Sequence, residues 1–96
     1  MYNLEMEIDR SLRHFSSQGV HILASRDDTR HSIELRAHGY RAEDGLHIQQ
    51  RAFLSLRSVM EAPQEIDWLI ATALREIILE VRGRNAEWYL DRGAGI

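Results

Sequence analysis

The sequence predicts a single α+β domain over residues 1–96, in the order helix, three strands, long helix and short C-terminal helix. Two observations carry this prediction. Apolar residues recur at three- and four-residue steps in residues 63–82, whereas residues 20–57 alternate between apolar and polar positions. We therefore expect a three-stranded antiparallel meander with one face covered by the two main helices and the other face open.

Residues 3–17 are predicted to form the first helix. Asn3 is a suitable N-cap, acidic residues come early and basic residues come late, as the helix dipole favours. Gly19 then ends the helical pattern. The apolar stripe of this helix consists of Leu4, Ile8, Leu12 and Phe15.

Two strands should follow, joined by a turn over residues 26–29. The second strand is predicted to end near Glu43, where Asp44-Gly45 has the composition of a two-residue type I′ hairpin turn. The residues expected to face the core are Val20, Ile22 and Ala24 on the first strand and Ile33, Leu35 and Ala37 on the second.

Residues 46–57 fit two patterns. A helix would align Ile48, Ala52, Leu56 and Val59, whereas a strand would place Leu46, Ile48, Ala52, Leu54 and Leu56 on one face. A two-residue turn at Asp44-Gly45 would set Leu35 opposite Leu54 and Ile33 opposite Leu56, so that apolar residues meet. We therefore predict a strand here.

Residues 63–82 are predicted to form one continuous helix. Pro63 lies in the first turn, Gly83 follows the last, and the charges near both ends match the helix dipole. Charged residues within this stretch exclude a transmembrane span; they include Glu65, Asp67, Arg75, Glu76 and Glu80. A short helix is predicted over residues 86–92, followed by a fraying tail at 92–96.

Composition excludes several classes of function. The chain contains no cysteine, so disulfides and thiolate metal sites are ruled out, and no signal peptide is evident, which favours a cytoplasmic protein. The net charge is -3, which gives no overall attraction to nucleic acids or acidic membranes. All twelve basic residues are arginine. This bias is typical of a GC-rich bacterial or phage genome, and it also suits interfaces that need multi-donor cations.

No motif for catalysis is present: there is no nucleophile elbow and no glycine-rich loop after a strand. The five histidines have neither the HxH nor the HxxxH spacing of a metal site. We therefore expect no enzyme activity, no cofactor, no metal and no small-molecule substrate.

The open sheet face is the candidate binding surface. With the predicted register, Arg36 lies opposite Phe53 as a cation-π pair, His38 lies opposite Arg51, and His21 neighbours Glu34. The candidate binding residues are Arg36, His38, Tyr40, His47, Arg51, Phe53 and Arg57. Further candidates for an interface between copies are Trp68, Trp88 and Tyr89, although the last two could instead fold back over the long helix.

Three interpretations of this face remain open: a solvated sheet surface, a protein interface rich in arginine and aromatic residues, or a platform on which nucleic-acid bases stack. The helix, three strands, helix order is similar to that of double-stranded RNA-binding domains. The lysine-rich helix start of that family is replaced here by acidic Glu61, Glu65 and Asp67. The leading hypothesis is a non-enzymatic protein-binding domain, acting as a homodimer or on a partner protein; the alternative is a nucleic-acid-binding regulator.

Overall fold

A three-stranded antiparallel sheet forms one layer of the protein, and helices on one of its faces form the other. The computed structural model describes residues 4–83. Along the chain it contains α1 (Leu4–Ser17), β1 (His21–Asp27), β2 (Ser32–Tyr40), β3 (His47–Ser55), α2 (Leu56–Glu61), a 3₁₀ turn (Pro63–Glu65), α3 (Ile66–Ala73) and α4 (Arg75–Arg82). The strand order is β1-β2-β3, so the predicted α+β class and its α-β-β-β-α order are confirmed. The predictions for Asn3, the helix at 86–92, the tail, Trp88 and Tyr89 lie outside the described residues.

The hydrophobic core lies between the sheet and the helix layer. Its buried members come from the helices, β2 and β3, and the inward-facing residues predicted for β2 are all buried, whereas Ile22 and Ala24 of β1 are partly buried against it. Val20, which directly precedes β1, is fully buried as well. The buried residues of β2, α3 and α4, with the residue that links the two helices, are Ile33, Leu35, Ala37, Ile66, Ile70, Ala71, Leu74, Ile77 and Ile78.

The predicted register between β2 and β3 is wrong by two residues. Leu35 lies opposite Ala52, and Ile33 lies opposite Leu54. The backbone N–H of Arg41 donates to the carbonyl of Leu46 at 2.8 Å, so these two residues are still paired. The loop between the strands therefore consists of residues 42–45 and not of two residues. Since the shift is an even number, every side chain of β3 stays on the predicted side of the sheet.

The loop at residues 42–45 is held by specific polar contacts. The Arg41 guanidinium donates Nε to Oδ1 of Asp44 at 2.9 Å, and Oδ1 of Asp44 also accepts the backbone N–H of Leu46 at 3.1 Å. The Arg41 contact lowers the pKa of Asp44 to about 2. The N–H of Ala42 donates to the carbonyl of Glu80 at 2.8 Å, which ties the loop to α4. These bonds explain why β2 ends at Tyr40 and not near Glu43.

The other turn also lies later than predicted. β1 continues through Asp27, and the turn comprises residues 28–31. Oδ1 of Asp27 accepts the backbone N–H groups of Thr29 and Arg30 at 3.1 and 3.2 Å. An aspartate that accepts bonds from the next residues starts a turn at its own position, which moves the turn from 26–29 to 28–31.

The ambiguous stretch 46–57 divides between its two interpretations. Residues 47–55 are a strand, as predicted, but the chain turns into α2 at Leu56. Oγ of Ser55 accepts the N–H of Ser58 at 3.4 Å and caps this helix. Leu56 and Val59 point into the core from it. Placing Arg57 on the sheet was therefore wrong.

The predicted continuous helix over 63–82 is interrupted at Leu74, where φ is -110° and ψ is 26°. A side chain from the sheet bridges the break. The amide of Gln50 donates Nε2 to the carbonyl of Ala73 at 3.2 Å, and its Oε1 accepts the N–H of Ile77 at 2.9 Å. Together these two bonds take the place of the direct helical bond between Ala73 and Ile77.

The helix layer is joined internally by one buried polar contact. Ser11 on α1 is fully buried, and its Oγ donates a hydrogen bond to the carboxylate of Asp67 on α3. A buried hydroxyl needs such a partner, so this bond fixes how α1 lies against α3. Within residues 4–83, no helix is long and apolar enough to cross a membrane.

Candidate functional site

The sheet surface that faces away from the helices is called the open face below. Its side chains belong to the alternate positions of each strand that do not enter the core. They are His21, Leu23 and Ser25 on β1, Glu34, Arg36, His38 and Tyr40 on β2, and His47, Gln49, Arg51 and Phe53 on β3.

The open face exposes large apolar side chains. Leu23 is 71% exposed, Tyr40 is 64% exposed and Phe53 is 50% exposed. One exposed apolar side chain is ordinary on a protein surface, but several on one flat sheet face are typical of an interaction surface. These three residues come from three different strands, so the apolar area spans the sheet.

An ion cluster lies near the centre of the open face. Register places Arg36 directly opposite Arg51, and like charges in that position repel. The carboxylate of Glu34 lies between them: it accepts Nε of Arg36 at 2.8 Å and Nε of Arg51 at 2.6 Å. Two guanidinium groups thus share one carboxylate, and the cluster keeps a net positive charge.

Glu34 is the shielded member of this cluster. Its side chain is 14% exposed, whereas those of Arg36 and Arg51 are 67% and 60% exposed. The hydrogen bond from Arg51 is the main reason that the pKa of Glu34 lies below its usual range, and Arg36 adds to the effect. The carboxylate therefore stays ionised and holds both arginines in place, with their outer edges towards solvent.

Phe53 carries the cation-π contact of the open face, but not with the arginine that was expected. The guanidinium carbon of Arg51 lies 5.2 Å from the centre of the Phe53 ring. The predicted partner, Arg36, is displaced because the two-residue register shift puts Glu34 opposite Phe53. The arginine and the ring are on the same strand, two residues apart.

Histidine rings form a row at the other end of the open face. The centres of His21 and His38 are 5.3 Å apart, and those of His38 and His47 are 5.4 Å apart. The ring of Tyr40 lies 5.3 Å from that of His47. His38 thus lies opposite His21 and Gln49, so the predicted pairs His38 with Arg51 and His21 with Glu34 are both wrong.

This row does not form a metal site in the part of the chain that the structure describes. Nδ1 of His38 and Nε2 of His47 are 3.4 Å apart, a hydrogen-bonding distance between two rings. Over residues 4–83 there is no group of three or more histidine, aspartate or glutamate side chains arranged to hold an ion. The rings of His21, His38 and His47 lie next to one another and next to Tyr40 on the open face.

The remaining candidates lie off the open face. Arg57 is on α2, pairs with Glu61 at 2.9 Å, and borders a groove of about 940 Å³ whose lining includes Phe53 and the exposed Met60. Trp68 is half-buried on α3, in the helix layer. The structure thus brings together all the predicted strand residues of the site and leaves Arg57 at the margin.

Most arginines of residues 4–83 have their charge compensated nearby. In six of the ion pairs the carboxylate lies within four residues of its arginine in the sequence, as in Arg26 with Asp28 at 2.7 Å and Arg10 with Glu7 at 2.8 Å. Such local pairing prevents a broad positive field. The cluster around Glu34 is the place on the open face where guanidinium groups outnumber carboxylates.

Sequence reasoning missed Gln50. Its position in β3 falls on the core face, between Ile48 and Ala52, where an apolar residue would continue the pattern. A polar side chain at such a position needs a buried partner, and this was the signal that could have revealed it. What it could not reveal is that the partner is a helix backbone.

The chain matches no protein-family model, and no similar protein was found among curated proteins or among solved structures.

Proposed function

We propose that this domain is a protein-binding module whose open face docks on a partner protein. The single observation that carries the proposal is the combination of exposed apolar side chains with two arginines that share one carboxylate. Arginine and aromatic residues are enriched at protein interfaces, where they supply most of the binding energy.

The chemistry of the open face indicates what the partner should present. Arg36 contacts Glu34 through Nε and its side chain is 67% exposed, so the terminal nitrogens of its guanidinium can donate to an acceptor on a partner. A carboxylate from the partner would complete the cluster by forming a forked pair with one of the arginines. Leu23 and Phe53 flank the cluster and would receive apolar side chains. We therefore expect an acidic surface that also carries aliphatic or aromatic residues.

Nucleic-acid binding is the weaker candidate because of charge. Phosphate backbones bind through an excess of positive charge, whereas this chain has a net charge of -3 and pairs most of its described arginines locally. One net positive charge near Glu34 is enough for a partner carboxylate. It is not enough to follow a phosphate backbone.

A peptide-display selection on the immobilised domain tests the proposal. We expect enriched peptides to combine Asp or Glu with apolar residues, and we expect Arg36→Gln with Arg51→Gln to abolish their binding. Arg75→Gln, at the start of α4 on the opposite layer, is the matched control and should bind as the wild type does. A titration with single-stranded and double-stranded RNA and DNA at two salt concentrations is run in parallel. Salt-sensitive binding of nucleic acid together with no peptide enrichment would overturn the proposal.

A further inference from the structure

The outer edge of β1 is an unprotected strand edge. Within residues 4–83 no backbone group from another element hydrogen-bonds to that edge, since β1 pairs only with β2. Residues 20–25 of the edge contain no charge, proline or glycine. Charges, prolines and bulges are the devices by which proteins keep sheet edges from pairing, so their absence here marks an edge that is suited to pairing.

The other edge of the sheet lacks this property. β3 carries Arg51 at its centre, between two residues of the open face. If two copies of β3 paired antiparallel about that point, each Arg51 would face the same residue of the other copy, and like charges would repel. β1 has Arg26 and Asp27 only at its far end.

Half-buried apolar residues follow the β1 edge along α1. Two cavities of about 260 and 300 Å³ lie between α1 and β1, and Asp9 borders both. They leave partly open four apolar residues that already touch the core, Ile8, Leu12, Ile22 and Ala24. A second molecule placed against this edge would cover them, which adds hydrophobic area to the backbone bonds of a strand pair.

We propose that two copies of this chain pair through β1, antiparallel and centred on Leu23, to form one six-stranded sheet. Leu23 is the central residue of the uncharged part of β1, residues 21–25. This register sets Leu23 opposite Leu23, Ile22 opposite Ala24 and His21 opposite Ser25. Every residue stays on its own face of the sheet, and no like charges meet.

Charges on α1 fit the same arrangement. Glu5 borders the cavity near Ala24 and Arg26, whereas Arg13 borders the cavity near His21 and Ile22. An antiparallel pair brings the N-terminal end of α1 in one copy beside the C-terminal end of α1 in the other. Glu5 of each copy therefore lies on the side of Arg13 of the other, so opposite charges approach on both sides of the two-fold axis, whereas Asp9, which borders both cavities, lies nearest the axis in each copy.

The pairing would place two open faces side by side in one plane. A partner with two acidic segments could then bind both, and the second contact would form at a high effective concentration. The dimer itself does not depend on what the open face binds.

Cysteine cross-linking tests the edge and the register, because the natural chain has no cysteine. In the proposed dimer the two Cβ atoms at position 23 lie about 4.5–5.5 Å apart, close enough for a disulfide or a short bis-maleimide. We expect Leu23→Cys to cross-link rapidly into a dimer. Met60→Cys is the matched control, because Met60 lies on α2 and is 66% exposed; this variant should not cross-link.

Analytical ultracentrifugation of the full chain supplies the second measurement. We expect the wild type to sediment as a species of twice 11.2 kDa at micromolar concentration. Leu23→Asp places two carboxylates opposite each other and should weaken the dimer about tenfold or more. Circular dichroism checks that this variant is folded. We expect it to fold because the Leu23 side chain is 71% exposed. A monomeric wild type, or cross-linking at position 23 no faster than at position 60, would overturn the proposal.

Discussion

Nε of Arg51 donates a hydrogen bond to Oε2 of Glu34 on the neighbouring strand, and Nη2 of the same guanidinium forms an ion pair with that oxygen. The pair lies in the middle of the open face, and its carboxylate is shared with Arg36. The pKa of Glu34 is lowered mainly by this contact, so the ionised form is favoured in the folded protein.

The first prediction concerns pH. A carboxyl whose pKa is lower in the folded than in the unfolded state stabilises the fold at neutral pH, and this contribution is lost as the pH falls through the lowered pKa. Glu34→Gln should therefore lower the urea midpoint of unfolding at pH 7. The difference in midpoint between the variant and the wild type should become smaller at pH values below the usual pKa of a glutamate. Urea denaturation at several pH values measures it. Glu61→Gln, which removes an exposed ion pair on α2, is the control and should have a smaller effect. A gap that stays constant with pH would contradict the assignment.

The second prediction concerns Gln50. Truncating it to alanine leaves the N–H of Ile77 and the carbonyl of Ala73 without their partner, which should cost about 1–3 kcal/mol of unfolding free energy. Chemical denaturation gives the loss, and hydrogen exchange at the Ile77 amide should become faster. Gln49→Ala, the exposed neighbour on the opposite face, should change stability by less than about 0.5 kcal/mol. Equal losses for the two variants would show that the amide bridge is not important.

The third prediction concerns Gly39. A Cβ atom at this position would lie 2.8 Å from the carbonyl oxygen of Gly19 and 2.8 Å from Cγ2 of Val81. Because one of these atoms is backbone, it cannot move aside as a side chain can, and Gly39→Ala should cost about 1–3 kcal/mol. Thermal unfolding measures this. Gly45→Ala has no atom within 4 Å of its new Cβ and pays only for its positive φ of 74°, so it should cost less. The reverse order would refute the steric explanation.

The fourth prediction compares binding with stability. Arg36→Gln with Arg51→Gln should abolish binding of the selected peptides, and it should lower stability by an amount similar to that of Glu34→Gln, since both changes remove the ion pairs of the same cluster. Charge reversal is a poorer test, because Arg36→Glu with Arg51→Glu would set three carboxylates together around position 34. We expect that variant to melt well below the glutamine variant at neutral pH. Calorimetry of both variants checks this, and equal melting temperatures would mean that the cluster has no electrostatic role.

Face membership could be predicted from the sequence because it depends only on alternation. Leu35 and Arg36 point to opposite sides because they are neighbours in one strand. A register shift of two residues leaves each residue of β3 on its own side of the sheet. The register itself could not be predicted, because the loop after Tyr40 is set by contacts that the local turn pattern does not contain. These are the ion pair of Arg41 with Asp44 and the bond from Ala42 to the distant Glu80.

The candidate site shows the same division. Arg36, Arg51 and the predicted rings of the strands lie on one surface, as expected, but their partners differ from those predicted, because each partner follows from register. The two-residue shift between β2 and β3 exchanged Arg36 for Arg51 above Phe53 and brought His38 next to His47. The later turn between β1 and β2 brought His38 next to His21. Arg57 left the surface because Ser55 caps a helix, and a serine at a strand end gives no sign of which role it will take.

The interruption at Leu74 has a consequence for how the molecule folds. It divides the expected long helix into α3 and α4, of eight residues each. Peptides shorter than about 12–15 residues rarely stay helical in water, so neither half can form a lasting nucleus alone. The segment from 63 to 82 should therefore acquire its shape only when β3 supplies the amide of Gln50, so we expect folding to depend on a contact between parts that are far apart in the chain.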